Sequence, residues 1–259
     1  MTLRAIIFDV DGTLVETADV KRAAYNQAFA EFGLDWVWGR AVFAQILASS
    51  MPGSEVEFFA LLRYPEMFNT LERNGLLDKI PRRQQQIYRG LLDAGAAQLR
   101  PGIARLMAEI VSSRLKLALC TTGPRIEFET LLFNRFGLDM LNTLDCSVSA
   151  EDLQGHSPVQ AYRRCLAKLG EHPSDVMVIE DAPQGVAAAA SLGMNVIATP
   201  GRYTANGTFV GASHVLSDLG HPAAPFQVIS GDARGISHVS LRTLREWHAV
   251  ARFSTADAA

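Results

Sequence analysis

The chain has 259 residues, of which 48 % are hydrophobic and 20 % charged, with a formal net charge of −3 and a pI of about 6.1. That is apolar material for one large domain or a core with a smaller insert, and the slight acidic balance argues against a nucleic-acid partner, which calls for a basic excess. No apolar run reaches the length of a membrane span, the N-terminus lacks the charged start and cleavage site of a secretory signal, and the odd set Cys120, Cys146 and Cys165, without metal-ligand spacing, reads as three reduced thiols of a cytoplasmic protein.

The first strand-like run, residues 5–8 (AIIF), leads directly into Asp9-Val10-Asp11-Gly12-Thr13-Leu14. From there to Pro101 no convincing buried strand is found, but helical patterns recur. The first, 19–32, places Ala23, Ala24, Ala28 and Phe32 on one side, and 41–47, 56–62, 68–77 and 82–92 follow. Such a block is too long for a normal crossover, so residues 16–98 are expected to form an inserted helical cap, packed in part by Trp36 and Trp38. Beyond Pro101 strands and helices alternate. Helix 102–112 carries Ile103, Leu106, Met107 and Ile110 at helical spacing, and strand 116–120 (KLALC) follows. Helix 162–169, strand 176–179 (VMVI), a buried helix start at 185–192 and strand 195–198 (NVIA) complete the series. Short, continuously apolar strands separated by helices indicate a parallel sheet covered on both faces. The expected fold is a doubly wound, Rossmann-like α/β core of residues 1–15 and 99–259. Pro222 and Pro225 mark a loop, and 240–250 reads as a last helix capped by Ser240.

The chemistry concentrates at strand ends, where open α/β sheets bind their ligands. Asp9 and Asp11 close the first strand, and Gly12 lets the chain turn sharply. A second acidic pair, Glu180-Asp181, closes strand 176–179, with Gly185 four residues on. Carboxylates facing one site repel unless a cation lies between them, and oxygen ligands of this kind suit Mg²⁺. A third strand end offers Thr121-Thr122-Gly123, where hydroxyls and backbone N–H groups at a helix start suit a phosphate.

These motifs resemble those of the haloacid-dehalogenase superfamily of phosphatases, in particular its CbbY-type and β-phosphoglucomutase-like branch. Asp9, Asp11, Gly12, Thr13 and Leu14 match the first family motif, Thr121 the second, and Glu180, Asp181 and Gly185 the fourth. Asp35-Trp36-Val37-Trp38, Arg100-Pro101-Gly102 and Pro200-Gly201-Arg202-Tyr203-Thr204 resemble the CbbY-type branch. The resemblance implies a phosphoric monoester hydrolase in which Asp9 is the nucleophile and Asp11 the acid and base. It further implies that Asp9, the Asp11 carbonyl, Asp181 and Glu180 hold or support Mg²⁺, and that Thr121, with Thr122, Gly123 and Arg125 beside it, binds the substrate. The implied partner is a small phosphorylated metabolite, a sugar phosphate above all, and the protein is expected to be a monomer without nucleic-acid or membrane partners.

Two departures stand out. The third family motif carries a Lys where this chain has His156, in Gly155-His156-Ser157-Pro158. Lys168, twelve residues on, is about 18 Å away along a helix, and Lys116 is about 16 Å from Thr121 along its strand, so neither is expected to substitute. A cationic His156 would do so, with a pKa raised from about 6.5 by nearby anions, which implies a slow phosphatase that gains speed towards acidic pH. In the cap, Pro52-Gly53-Ser54-Glu55-Val56 stands where the CbbY-type branch carries a Lys and an Arg, so the bisphosphate substrate of that branch is not expected here. Arg40, Arg63, Arg125 and Arg202 remain as candidate contacts for a substrate anion. Two alternatives stay open: a phosphosugar mutase, and a catalytically weakened binding or regulatory protein on the same fold.

Overall fold

The computed structural model describes residues 2–49, 54–155, 157–233 and 235–256. In chain order the elements are β1 (Ala5–Phe8), β2 (Val15–Glu16), α1 (Ala18–Glu31), α2 (Arg40–Ser49), α3 (Glu55–Arg63), α4 (Pro65–Arg73), α5 (Leu76–Asp93) and β3 (Gln98–Leu99). There follow α6 (Ile103–Val111), β4 (Lys116–Cys120), α7 (Arg125–Phe136), α8 (Leu138–Asn142), β5 (Cys146–Val148), α9 (Pro158–Leu169) and β6 (Val176–Glu180). The chain ends with α10 (Pro183–Ser191), β7 (Asn195–Ala198), β8 (Ala212–Leu216), β9 (Val228–Ser230) and α11 (Leu241–Ala256). Two compact units result: Met1–Glu16 with Gln98–Ala259, and Thr17–Ala97.

The first unit is built on a seven-stranded sheet in the order β5-β4-β1-β6-β7-β8-β9, parallel except for β9. All four residues of β1 and all five of β6 are buried, because helices cover both faces. Alternate residues divide between the faces. Ala5, Ile7, Ala118, Cys120, Val176 and Val178 pack with Ala161, Tyr162 and Cys165 of α9 and Val186 and Ala189 of α10. Ile6, Phe8, Leu117, Leu119, Met177 and Ile179 are buried on the other face, where α6 lies against β4 and α11 against α6. Ser240 caps α11 as expected, its Oγ accepting from Thr243 N at 3.1 Å, and Glu109 Oε2 takes the Leu241 N–H at 2.7 Å. All three cysteines are free thiols.

Among its described residues every regular element of the second unit is a helix, with α1 packed along α5. Trp36 and Trp38 are buried in an aromatic cluster with Tyr25, Phe29, Phe43, Phe59 and Tyr64, and Trp38 is tied at both backbone groups to the Asn26 amide. The helix expected over 68–77 is instead a boundary. It breaks at Asn74 and Gly75, where Gly75 has φ +65°, and α5 then runs on through Pro81. Among the described residues no helix is long and apolar enough to cross a membrane.

Gly102 shows how tightly the start of α6 is fitted. Its φ is +84°, and a Cβ there would lie 2.6 Å from Gly220 O and 2.7 Å from Leu219 Cβ. Gly170, the C-cap of α9, has φ +67° but open space around it. Gly102→Ala is therefore expected to destabilise the protein by about 2–4 kcal/mol, combining the left-handed strain with overpacking. Gly170→Ala should cost only about 1–2 kcal/mol, and equal shifts of the two denaturant midpoints would refute this reading.

Candidate active site

The sheet brings the acidic residues together by register alone. Phe8 pairs with Ile179 on one side and with Leu119 on the other, so Asp9 leaves β1 beside Glu180 and next to the end of β4. The Asp9 N–H continues the ladder to Ile179 O at 3.0 Å, and the Thr121 N–H binds Val148 O at 2.9 Å. β1 has its partners β4 and β6 on opposite sides, which makes this the switch point where open α/β sheets bind ligands.

Asp9, Glu180 and Asp181 each place a carboxylate oxygen within 4.8 Å of the others. Asp9 is half-buried, Glu180 and Asp181 buried. Burial raises the Asp9 carboxyl well above the ordinary range, and the charges of Glu180, Asp181 and Asp11 raise it further, against a hydrogen bond from Thr13 that lowers it. Burial and then Asp181 push Glu180 up to about 8. Burial also pushes Asp181 up to about 7, opposed by the Thr204 hydroxyl and the Arg100 charge. These carboxylates are crowded at neutral pH, and an all-oxygen donor set of this kind fits a hard divalent cation.

Local backbone chemistry holds them in place. Glu180 Oε2 accepts from the N–H groups of Asp181 at 2.5 Å and Ala182 at 3.1 Å, at the N-terminal end of α10 where N–H groups favour an anion. Gly185 is required on that helix because a Cβ would overlap the Glu180 carboxylate. Gly12, at φ +90°, lacks the Cβ that would overlap Asp181. Thr13 Oγ1 donates to Asp181 Oδ1 at 3.4 Å and Thr204 Oγ1 to Asp181 Oδ2 at 3.1 Å. On the β4 side, buried Thr121 directs Oγ1 to Asp11 Oδ2 at 3.5 Å and accepts the Gly123 N–H at 2.9 Å. A Cβ on Gly123 would fall 3.3 Å from Thr121 Oγ1 and 3.5 Å from Asp11 Oδ2. Half-buried Thr122 lies between them.

The structure thus brings Asp9, Asp11, Thr121, Gly123, Glu180 and Asp181 to one end of the sheet. Arg125 is engaged elsewhere: its guanidinium pairs with Asp152 at 2.7 Å and with Ser147 Oγ at 3.1 Å. Lys168 binds the same Asp152 at 2.8 Å, and Lys116, at the opposite end of β4 from Thr121, pairs with Glu171 at 2.8 Å. Arg40 pairs with Asp19 at 3.2 Å. His156 lies outside the described residues. Sequence reasoning assigned no role to Arg100, Thr204 or the second partner of Thr13. Their segments showed only as resemblances, because their contacts are made across the fold.

Carboxylates gathered at the switch point of a doubly wound sheet define the class as an α/β enzyme acting at its strand ends. The chain belongs to the haloacid dehalogenase-like hydrolase family, whose description matches residues 3–193. It is 33 % identical over 249 residues to the plasmid protein CbbY of Cupriavidus necator, covering 95 % of this chain and 97 % of that one. It is 31 % identical over 202 residues to phosphoglycolate phosphatase of Synechococcus elongatus, covering 76 % and 83 %. The crystal structure of CbbY from Rhodobacter sphaeroides in complex with phosphate is similar at a TM-score of 0.71 and 30 % identity, covering 84 % of this chain and 95 % of that one. A variant of the same CbbY in complex with xylulose-(1,5)bisphosphate also gives a TM-score of 0.71 at 30 % identity, covering 86 % and 98 %.

The raised carboxyls have a sign that can be measured. An acid whose folded pKa exceeds its unfolded value costs stability once pH rises above the unfolded value, and the cost grows until the folded pKa is passed. For Asp181 that window runs from about 4, the free carboxyl value, up to about 7. With chelator present, Asp181→Asn should melt above the wild type at pH 8, by less at pH 5. A gap that is equal at both values would show that Asp181 is not held in a charge-crowded state.

Proposed function

We propose that this chain is a Mg²⁺-dependent phosphatase of a small phosphorylated metabolite, a sugar phosphate, acting through an aspartyl-phosphate on Asp9. The observation that carries the proposal is the set of strand ends: Asp9 on the central strand, with the Glu180-Asp181 pair on one neighbour and Thr121 bonded to Asp11 on the other.

In this reading an Asp9 carboxylate oxygen attacks phosphorus, and the bond to the leaving oxygen breaks as Asp11 gives that oxygen a proton. The product alcohol departs. Asp11, now ionised, takes a proton from water as the water attacks the same phosphorus, releasing phosphate and restoring Asp9. Thr121, with Thr122 and Gly123, binds the phosphoryl oxygens. Asp9, the Asp11 carbonyl, Glu180 and Asp181 hold Mg²⁺, which offsets the negative charge that collects around phosphorus. The division into a core of residues 1–15 and 99–259 and a cap of residues 16–98 belongs to the same proposal, as does action as a monomer.

His156 stands where the family's third motif has Lys, and removal of one preorganised electrostatic contact costs about 10²–10³ in rate. Phosphatase activity is therefore slow, rises towards acidic pH, and increases by at least about tenfold in His156→Lys. The relative from Rhodobacter sphaeroides has been crystallised with a bisphosphate. This chain has no basic residue in 52–56, so monophosphates are expected to be turned over at least as well as a ketose bisphosphate.

The decisive assay follows hydrolysis of an aryl phosphate with and without Mg²⁺. Wild-type turnover should depend on the metal and fall by at least about 10³-fold in Asp9→Asn. Equal rates in the two proteins would favour a binding protein on the same fold, and transfer of phosphate to a second position of a sugar phosphate would favour a mutase.

A further inference from the structure

Arg100 is a buried charge whose work is visible only in three dimensions. It follows β3, and its backbone N–H binds Leu14 O at 2.9 Å. Its guanidinium meets main-chain carbonyls from three segments that are far apart in sequence. Nη1 donates to Gly12 O at 2.5 Å and to Thr199 O, and Nη2 to Pro200 O at 3.0 Å and Ser217 O at 2.8 Å. Nε pairs with Glu16 Oε1 at 3.4 Å.

Two of these segments lead directly to Asp181. Gly12 precedes Thr13, whose hydroxyl donates to Asp181 Oδ1. Pro200 precedes Gly201, whose N–H donates to Thr204 Oγ1 at 2.8 Å, and that hydroxyl donates to Asp181 Oδ2 at 3.1 Å. The segments converge at Gly201, where a Cβ would touch Glu16 Oε1, Asp181 Oδ2 and Gly12 O at 3.5–3.7 Å. Each oxygen of Asp181 therefore accepts from a hydroxyl linked to the same guanidinium, Thr13 through the Gly12 carbonyl and Thr204 through the Gly201 N–H that follows the Pro200 carbonyl.

We propose that Arg100 is a positioning residue for the metal-side carboxylate Asp181, fixing the Gly12 and Pro200 segments so that the hydroxyls of Thr13 and Thr204 face it together. This rests on the reading of Asp181 as a Mg²⁺ ligand. A planar fork with five donors spans four carbonyls at once, which the point-like ammonium of Lys does not. The arrangement matches the general role of outer groups that orient a metal ligand and whose loss weakens metal binding by about 10–100-fold.

The test is Mg²⁺ binding to the intact protein, followed by calorimetry and by the rise of melting temperature with Mg²⁺, independently of turnover. Arg100→Lys should weaken Mg²⁺ binding by about 10-fold or more. Arg105→Lys is the control: Arg105 also bonds main-chain carbonyls, those of Leu219, Gly220 and Val239, but none of its partners leads to Asp181. It should lower stability and leave Mg²⁺ affinity unchanged. Thr204→Val, which removes only the hydroxyl, should weaken Mg²⁺ binding in the same sense and serves if Arg100→Lys does not fold. Wild-type affinity in either folded variant, or an equal loss in Arg105→Lys, overturns the inference. Wild-type protein that binds Mg²⁺ but hydrolyses no phosphate ester removes the proposed reaction and leaves the role of Arg100 standing.

Discussion

Everything at the strand ends answers to one electrostatic constraint. Parallel strands in register have no freedom to separate the residues that follow them, so Asp9, Glu180 and Asp181 come within 4.8 Å of one another. Fully ionised, each such pair would repel by about 3–4 kcal/mol at an effective dielectric of about 20. The fold tolerates this because each acid is met by hydrogen-bond donors. Glu180 takes the N–H groups of Asp181 and Ala182 just ahead of α10, Asp181 takes two threonine hydroxyls, and one of these, Thr13, also serves Asp9. Gly12 and Gly185 are the steric counterpart, since a single methyl at either position would displace a carboxylate.

This explains why so much of the core was legible in the sequence. A strand buried on both faces must be apolar along its length; β1 reads that way throughout, and β4, β6 and β7 do in all but one terminal residue. The acidic pairs stand out because each follows such a strand directly. The strands that escaped notice lack the signal. β5 is three residues long, β8 carries a Ser and a His in its middle, and β9 is an exposed edge. β2 and β3 are two residues each and pair only with one another, so no local pattern announces them. In the helical unit, 68–77 kept its helical spacing across the break between α4 and α5, because spacing does not register the left-handed turn at Gly75.

The cations were the least legible part, for a physical reason. Carboxylates at strand ends are placed by the backbone, whereas a long basic side chain goes wherever acceptors collect. Arg125 lies four residues after Thr121 yet pairs with Asp152, which also binds Lys168. Arg100 carries no acidic neighbour in sequence that would mark it, and its acceptors are carbonyls of Gly12, Thr199, Pro200 and Ser217, which any sequence would possess. Backbone acceptors leave no trace in residue identity.

The positions of these charges divide two tasks. A permanent cation among the carboxylates would compete with a divalent ion for the same oxygens. Arg100 instead bonds the main chain behind Asp181, where it still opposes the acidic cluster through space but leaves both carboxylate oxygens to the hydroxyls of Thr13 and Thr204. On the proposed reading, assembly of the acidic site depends on Arg100 and the threonines, whereas the rate depends on the third-motif position, where this chain has His156. A chain with His in place of Lys at that position would then keep its acids together and still be slow.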